Sequence, residues 1–311
     1  MRRRIGHMRG MASSNEAPPA RRLDHCVLPT AGLAEARGRL TALGFTVAPD
    51  AAHPFGTGNC CVFFSDGAYL EPLAVLDAAA ARAAIDGGNV FVARDAAFRA
   101  AAGEEGFSAV VLGTTDAAAD HARFVAGGIS AGPLLSFSRP FVDAAGAEAV
   151  ASFRLAFAVP AMGGDRFFFT CERVNAPKVD RAALERHANG VSGIARIVAV
   201  AARPEGERAF LELFSGREPA SVGAGGISLP LAGSGLSLMT SVSFSALYGV
   251  EPSGAAAPLD FAAIVFRVPA FAALRSQLAA NRVAFSEHGG RIVVPPAAGQ
   301  GALSIFEEFT A

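Results

Sequence analysis

The chain opens its ordered pattern with "LDHCVLP", residues 23–29, a short apolar stretch that predicts a strand with a histidine, His25, in its middle. The period then changes. Leu33, Ala36, Leu40 and Leu43 recur at helical spacing, and Gly44 is placed to end that helix. "FTVAP", "CCVFFSD" and "AYLEPLAV" return to strand-like patterning, with Asp66-Gly67 as a tight hairpin turn. The predicted order is strand, helix, then three strands.

The same order comes back three times. "SAVVLGT" from Ser108 leads to Thr115-Asp116 as a helix cap, a helix closed by Gly127-Gly128, and strands around residues 134–137, 150–159 and 166–171. "GIARIVAVA" from Gly193 opens a third copy, with Pro204 in the first helical turn, Phe210, Leu213 and Phe214 on the apolar face, and Gly216 as the stop. "FAAIVFRV" from Phe261 opens a fourth. Phe271, Leu274 and Leu278 mark its helix, Asn281 its end, and "VAFSE", "GRIVVPP" and "ALSIFEEF" its later strands. Four copies at intervals of roughly 65 to 90 residues constitute an internal repeat. A single copy covers one face of its sheet and leaves the other bare, so the copies are expected to pair. The expected class is α+β: four tandem modules paired into two cup-shaped half-barrel domains. The N-terminal pair is expected over residues 21–175 and the C-terminal pair over 193–311. The polar, proline-containing "VNAPKVDRAALERHANG" lies at the junction, with the connector at 176–192.

Composition narrows the classes of function. The 311 residues are 51% hydrophobic, with 24 Phe, no Trp and a formal net charge of −1, a globular rather than a disordered composition. No basic patch beyond the N-terminus suggests nucleic acid as a partner, and no apolar run is long enough to span a membrane. The basic, then polar start lacks the apolar core of a secretory signal, so residues 1–20 are expected to form a flexible tail on a cytoplasmic protein. Cys26, Cys60, Cys61 and Cys171 show no metal-binding spacing and read as buried reduced thiols. Gly56-Thr57-Gly58 lacks the helix that a phosphate loop needs and reads as a loop before the third strand.

"LDHCVL", "GAYLEPLAV", "FSRPF", "ASFRLAF", "FFFTCE" and "HANGVSGIARIVAVA" together resemble the glyoxalase-like proteins of the vicinal oxygen chelate superfamily, over most of the chain from about residue 21. The resemblance implies βαβββ modules whose cups can hold a divalent metal and a small substrate, with ligands from the first and fourth strands. His25 and Glu71 occupy two such positions, and imidazole and carboxylate suit Fe, Mn, Zn or Ni. Glu172 is the candidate for a second carboxylate, so the implied metal set is His25, Glu71 and Glu172. Either glutamate, if not ligated, is a candidate general base. Ser108 stands where the second module would carry a histidine, and His187 is the candidate to compensate. Arg196 and Ala263 replace the histidine in the third and fourth modules, while Glu307 keeps the acidic position, so the C-terminal cup is expected to be metal-free.

Alternation along the strands gives further expectations. His25 should share a face with Leu23 and Val27, and Asp24 should face the other way. If Phe153, Leu155 and Phe157 pack under a helix, Arg154 points into the cup, where it or Arg139 could hold a substrate carboxylate or phosphate. An ordinary ion pair with a nearby glutamate is the competing reading for each arginine, and simple packing against Glu71 is the one for His25. Two classes of function therefore stand side by side. One is a metal-dependent isomerase, lyase or, with a further histidine, ring-cleaving dioxygenase. The other is a metal-free protein that binds or sequesters a small molecule. A purely structural role is a third. The expected partner in the first two is a small-molecule ligand, and the chain could act as a monomer or homodimer.

Overall fold

The computed structural model of the chain describes residues 19–142, 148–160, 163–175, 180–223, 225–252 and 258–309. Residues 1–18 of the expected tail and 176–179 of the expected connector lie outside the described residues.

The first module contains β1 (Leu23–Pro29), α1 (Leu33–Ala42), β2 (Ala51–Ala52), β3 (Thr57–Asn59), β4 (Val62–Phe63) and β5 (Tyr69–Val75). Two helices follow, α2 (Ala78–Asp86) and α3 (Val90–Ala102). The second module is β6 (Ala109–Thr114), α4 (Ala117–Ala126), β7 (Leu135–Val142), β8 (Glu148–Ala158) and β9 (Phe167–Asn175). The third runs β10 (Gly193–Ala201), α5 (Arg208–Ser215), β11 (Ala220–Val222), β12 (Gly226–Leu231) and β13 (Ser234–Met239), followed by α6 (Ser241–Tyr248). The fourth is β14 (Leu259–Val268), α7 (Phe271–Ala280), β15 (Ser286–His288), β16 (Arg291–Val294) and β17 (Leu303–Glu308).

The modules pair as the repeat predicts. One sheet runs β2-β3-β5-β1-β6-β9-β8-β7, with β4 also on β5, and the other runs β11-β12-β13-β10-β14-β17-β16-β15. In each sheet the two leading strands meet antiparallel at the centre, β1 with β6 and β10 with β14. The result is a mixed α+β fold of two curled half-barrels.

The central strands β1 and β14 are buried along nearly their whole length because each sheet is covered on both sides there. The back faces, with α1, α4, α5 and α7, merge into a single core that runs between the halves. Phe168 packs there on Phe210, Phe214 and Phe261, and Phe45 packs on Phe266. Full burial of each such ring contributes about 1.5–3 kcal/mol. The concave faces have separate cores. The first is Phe-rich and is covered by α2 and α3; the second is filled by Phe244 and Tyr248 of α6. No described helix is long and apolar enough to cross a membrane.

Several helix boundaries follow the local chemistry. Asp116 caps α4 by accepting the Ala119 N–H at 2.9 Å, and Gly216 closes α5 in a left-handed conformation, φ +79°. Gly44, at φ +91°, ends α1 against the junction between the halves, where an added Cβ would lie 3.0 Å from the Asn189 backbone nitrogen. Two local expectations change. "FTVAP" forms no strand, and the Gly-Thr-Gly segment is not a loop: Thr57–Asn59 is β3, paired antiparallel with both β2 and β5.

Candidate functional site

The first cup carries a buried polar chain on an apolar floor. Its origin is a bulge. Between Leu23 and His25 the β1–β6 register shifts, so Leu23 opposes Leu112 while His25 opposes Val111. Leu23 therefore joins the back core, and Asp24, expected to face away from His25, sits beside it on the concave side. His25 Nδ1–H donates to Asp24 Oδ1 at 2.7 Å, and Asp24 Oδ2 accepts from Arg173 Nη2 at 2.9 Å. The other ring nitrogen, Nε2, lies 3.3 Å from Glu71 Oε2. His25 and Glu71 are 4% and 5% exposed, and Tyr69, one pleat from Glu71 on β5, stacks on the imidazole at 4.5 Å.

A second histidine, which the sequence reading passed over, completes the cluster. His53 Nε2 is 3.5 Å from Glu71 Oε1, and Asn59 Nδ2 reaches both that oxygen (2.7 Å) and His53 Nε2 (3.3 Å). Since the amide donates to Nε2, the other nitrogen carries the proton and donates to Thr57 Oγ1 at 2.9 Å. The signal was present in "HPFGTGN": Thr57 and Asn59 are polar residues at strand spacing inside an apolar module, and both are buried. Phe55, Phe91 and Phe137 surround the His53 ring.

Electrostatics separates the two histidines. Burial would lower the pKa of His25, but its bonds to Asp24 and Glu71 and their charges leave it raised. Burial would raise Glu71, yet His25, His53 and Asn59 bring it down to about 2. Desolvation drives His53 down to about 4; Glu71 opposes the shift and the charge of Arg139 adds to it. One carboxylate therefore lies between an imidazole whose protonated form is favoured by its partners, His25, and one held neutral near neutral pH, His53.

The remaining candidates fall elsewhere. Glu172 is not beside His25. It alternates on β9 with the cup-facing Phe169 and Cys171, accepts the Ala117 N–H at the start of α4 (3.1 Å), and lies 3.7 Å from Arg154. Arg154 does not enter the cup either. Phe153, Leu155 and Phe157 pack inside the cup rather than under the module's own helix α4, which turns Arg154 outward and leaves its side chain 47% exposed. Ser108 is fully buried just before β6, its hydroxyl 3.5 Å from the Val27 carbonyl, while Val111 is the residue opposite His25. His187 accepts the Thr46 N–H and donates to the Phe63 carbonyl, both at 3.0 Å, among Phe45 and Phe64 of the back core. Both of its nitrogens are used in fastening the connector to the first half. Arg139 is half-buried on β7, two residues from Phe137, with its charge acting on His53 and Cys61.

The donor set can be tested against a divalent metal. Among the described residues, the second module turns Ala109, Val111, Phe167, Phe169 and Cys171 into the cup and supplies no imidazole or carboxylate there. In the first module Glu71 is already bonded by Asn59 and faces the His25 imidazole. Among the described residues, no group of three or more His, Cys, Asp or Glu side chains is disposed to hold a metal ion. The arrangement as it stands does not fit the two-module metal centre that the resemblance implied. What it forms is a continuous chain of buried, hydrogen-bonded titratable groups.

Comparison with known proteins agrees with the architecture. A family model described as a glyoxalase-like domain matches residues 23–214. No curated protein matches the sequence significantly. Among solved structures, a hypothetical protein from Staphylococcus aureus aligns with a TM-score of 0.64 at 12% identity, covering 93% of this chain and all of that one. A mutant 4-hydroxymandelate synthase from Streptomyces coelicolor aligns with a TM-score of 0.58 at 15% identity, over 94% of this chain and 93% of that one. At these identities the likeness is one of fold.

Proposed function

The chain belongs to the glyoxalase-like domain family, and on that premise we propose that its N-terminal cup is the active centre of an isomerase- or lyase-type enzyme acting on a small oxygenated anion. The observation that carries this reading is the buried Asp24–His25–Glu71–Asn59–His53 chain on the wall of a cup otherwise lined by phenylalanines. A packing role would not call for two histidines shifted in opposite directions, one up and one down, around one buried carboxylate.

In this reading Asp24 fixes the His25 ring and keeps it charged, so that Nε2–H donates to an oxygen of the substrate. Glu71, freed from that imidazolium as the substrate enters, takes the proton from the adjacent carbon. Asn59 orients the carboxylate through the 2.7 Å bond. Neutral His53 relays or returns the proton, and the Phe55, Phe91 and Phe137 rings keep water from it. Arg139 supplies positive charge on the His53 side of the cup for the anionic group.

The second reading is metal-dependent: His25, His53 and Glu71, with Asp24 and Thr57 on the outer nitrogens, are ligand types that suit a divalent ion, but they would have to rearrange from the arrangement described above to hold one. One experiment separates the two. Protein purified without chelator is analysed for metal and assayed, with Glu71→Gln as control, for exchange of substrate C–H protons with deuterium across a panel of small 2-oxo and 2-hydroxy acids. Metal-independent exchange that disappears in Glu71→Gln is the expected result. Stoichiometric metal whose removal abolishes exchange would replace proton relay by metal-dependent chemistry, and no exchange with any acid would overturn the enzyme reading.

A further inference from the structure

The second cup repeats the frame of the first with different side chains. β10 carries the same register shift as β1: Ile194 opposes Phe266 and Arg196 opposes Val265, so Arg196 takes the place of His25. Glu307 on β17 and Arg291 on β16 are direct partners across their ladder, and they alternate with Phe306 and Ile292 of the back core. All three groups therefore face the concave side. Glu307 Oε1 accepts from Arg291 Nε at 2.7 Å, and Oε2 accepts from Arg196 Nη2 at 3.1 Å. Their side chains are 33% (Arg196), 22% (Arg291) and 21% (Glu307) exposed, so the cluster is partly desolvated yet open to a ligand.

Two independent features mark this cluster as incomplete. The first is charge: one carboxylate between two guanidiniums leaves an excess of one positive charge. Several of their N–H groups are still available, since beyond Glu307 the Arg291 guanidinium bonds only the Gly289 carbonyl among the described residues. The second is Tyr248. Its side chain is fully buried, its ring lies 5.6 Å from the Arg291 guanidinium carbon, and its hydroxyl has no hydrogen-bond partner among the described residues. Buried hydroxyls are almost always partnered, and an acceptor brought by a ligand would supply what is missing.

We propose that the mouth of the second cup binds a small monocarboxylate, with Arg196 and Arg291 holding its charge and the Tyr248 hydroxyl donating to one of its oxygens. The single excess charge matches a monoanion, and a planar carboxylate matches the guanidinium fork. Met239, Leu247 and Val250, partly buried beside this core, suit a small apolar body. The site is separate from the proton relay of the first cup and does not depend on it.

Titration calorimetry of the full chain at low ionic strength, with benzoate as the probe and inorganic phosphate in a parallel arm, tests the assignment. Benzoate is expected to bind, and to bind roughly tenfold or more weakly to Arg291→Gln, because a hydrogen-bonded charge is lost. Arg196→Gln serves if that variant does not fold. Tyr248→Phe is expected to bind roughly threefold to tenfold more weakly while unfolding at the same or a higher urea concentration, since it deletes an unpartnered hydroxyl. A purely structural tyrosine would lower the midpoint and leave affinity alone. Glu71→Gln, in the other cup, is expected to bind benzoate like the wild type. The proposal is overturned by no benzoate binding up to about 10 mM, by unchanged affinity in the arginine variants or in Tyr248→Phe, by phosphate binding more tightly than benzoate, or by loss of binding in Glu71→Gln.

Discussion

His53 ties the stability of the protein to pH in a way that can be worked out from its surroundings. Its pKa falls from the ordinary 6.5 to about 4 because the ring is buried among phenylalanines. A lowered folded pKa means that the unfolded chain binds the extra proton between about pH 6.5 and 4, so stability is present above that window and is lost as pH falls through it. At about 1.4 kcal/mol per pKa unit, a drop from pH 7 to pH 4.5 removes about 2.5 kcal/mol. The two neighbours act outside this window. The raised pKa of His25 contributes stability that is complete below its unfolded value and lost as pH rises through the folded one. The lowered pKa of Glu71, about 2, contributes stability that is lost only below about 4.5. His187 is lowered by burial too and adds to the same slope, so the comparison must be with a variant. His53→Gln removes the titration while retaining a polar side chain near Thr57 and Asn59. Urea unfolding at several pH values from 7 to 4.5 should give a wild-type profile steeper than that of His53→Gln by about 2 to 3 kcal/mol over the window. Parallel profiles would refute the neutral buried imidazole and the proton relay built on it.

Other expectations follow from the same geometry. Asp24→Asn leaves the His25 ring and the buried part of the Arg173 guanidinium without their shared carboxylate, and should destabilise the protein by about 3–5 kcal/mol in thermal or urea unfolding. Glu71→Gln should lower the His25 pKa, read by NMR titration of the imidazole carbons, because one of the two carboxylates that raise it has gone. Gly44→Ala forces a side chain into a left-handed conformation against Asn189, and should cost about 1–3 kcal/mol without touching either cup. Chelator treatment should leave the melting temperature unchanged, since the buried groups of the first cup are satisfied by one another; a drop of several degrees would favour the metal-dependent reading.

The repeat was legible because it depends on periodicity. Leading strands, amphipathic helices and glycine stops recur in the chain, and the structure keeps them, down to Asp116 as a cap and Gly44 and Gly216 as stops. His25 and Glu71 were legible for a related reason: a charged or titratable residue inside an apolar strand stands out against its neighbours. His53 did not, because it lies next to the two-residue β2, where no periodic background exists to set it off. Arg154 and Glu172 were misplaced by a choice of face. The alternation around Arg154 on β8 was read, but alternation is silent about which side is concave, and on both β8 and β9 the phenylalanines fill the cup.

By itself the order of apolar and polar residues determined that this chain is four sheet-and-helix units in two pairs, because each unit leaves one apolar face uncovered and only another such unit can complete it. The tertiary structure alone decided where the chemistry sits. A one-residue bulge in β1 put Asp24 and His25 on the same side, and the short strand β3, with the segment leading into it, delivered Asn59 and His53 to Glu71. Side-chain direction depends on local register and on which faces find partners, and both are settled only when the sheet closes.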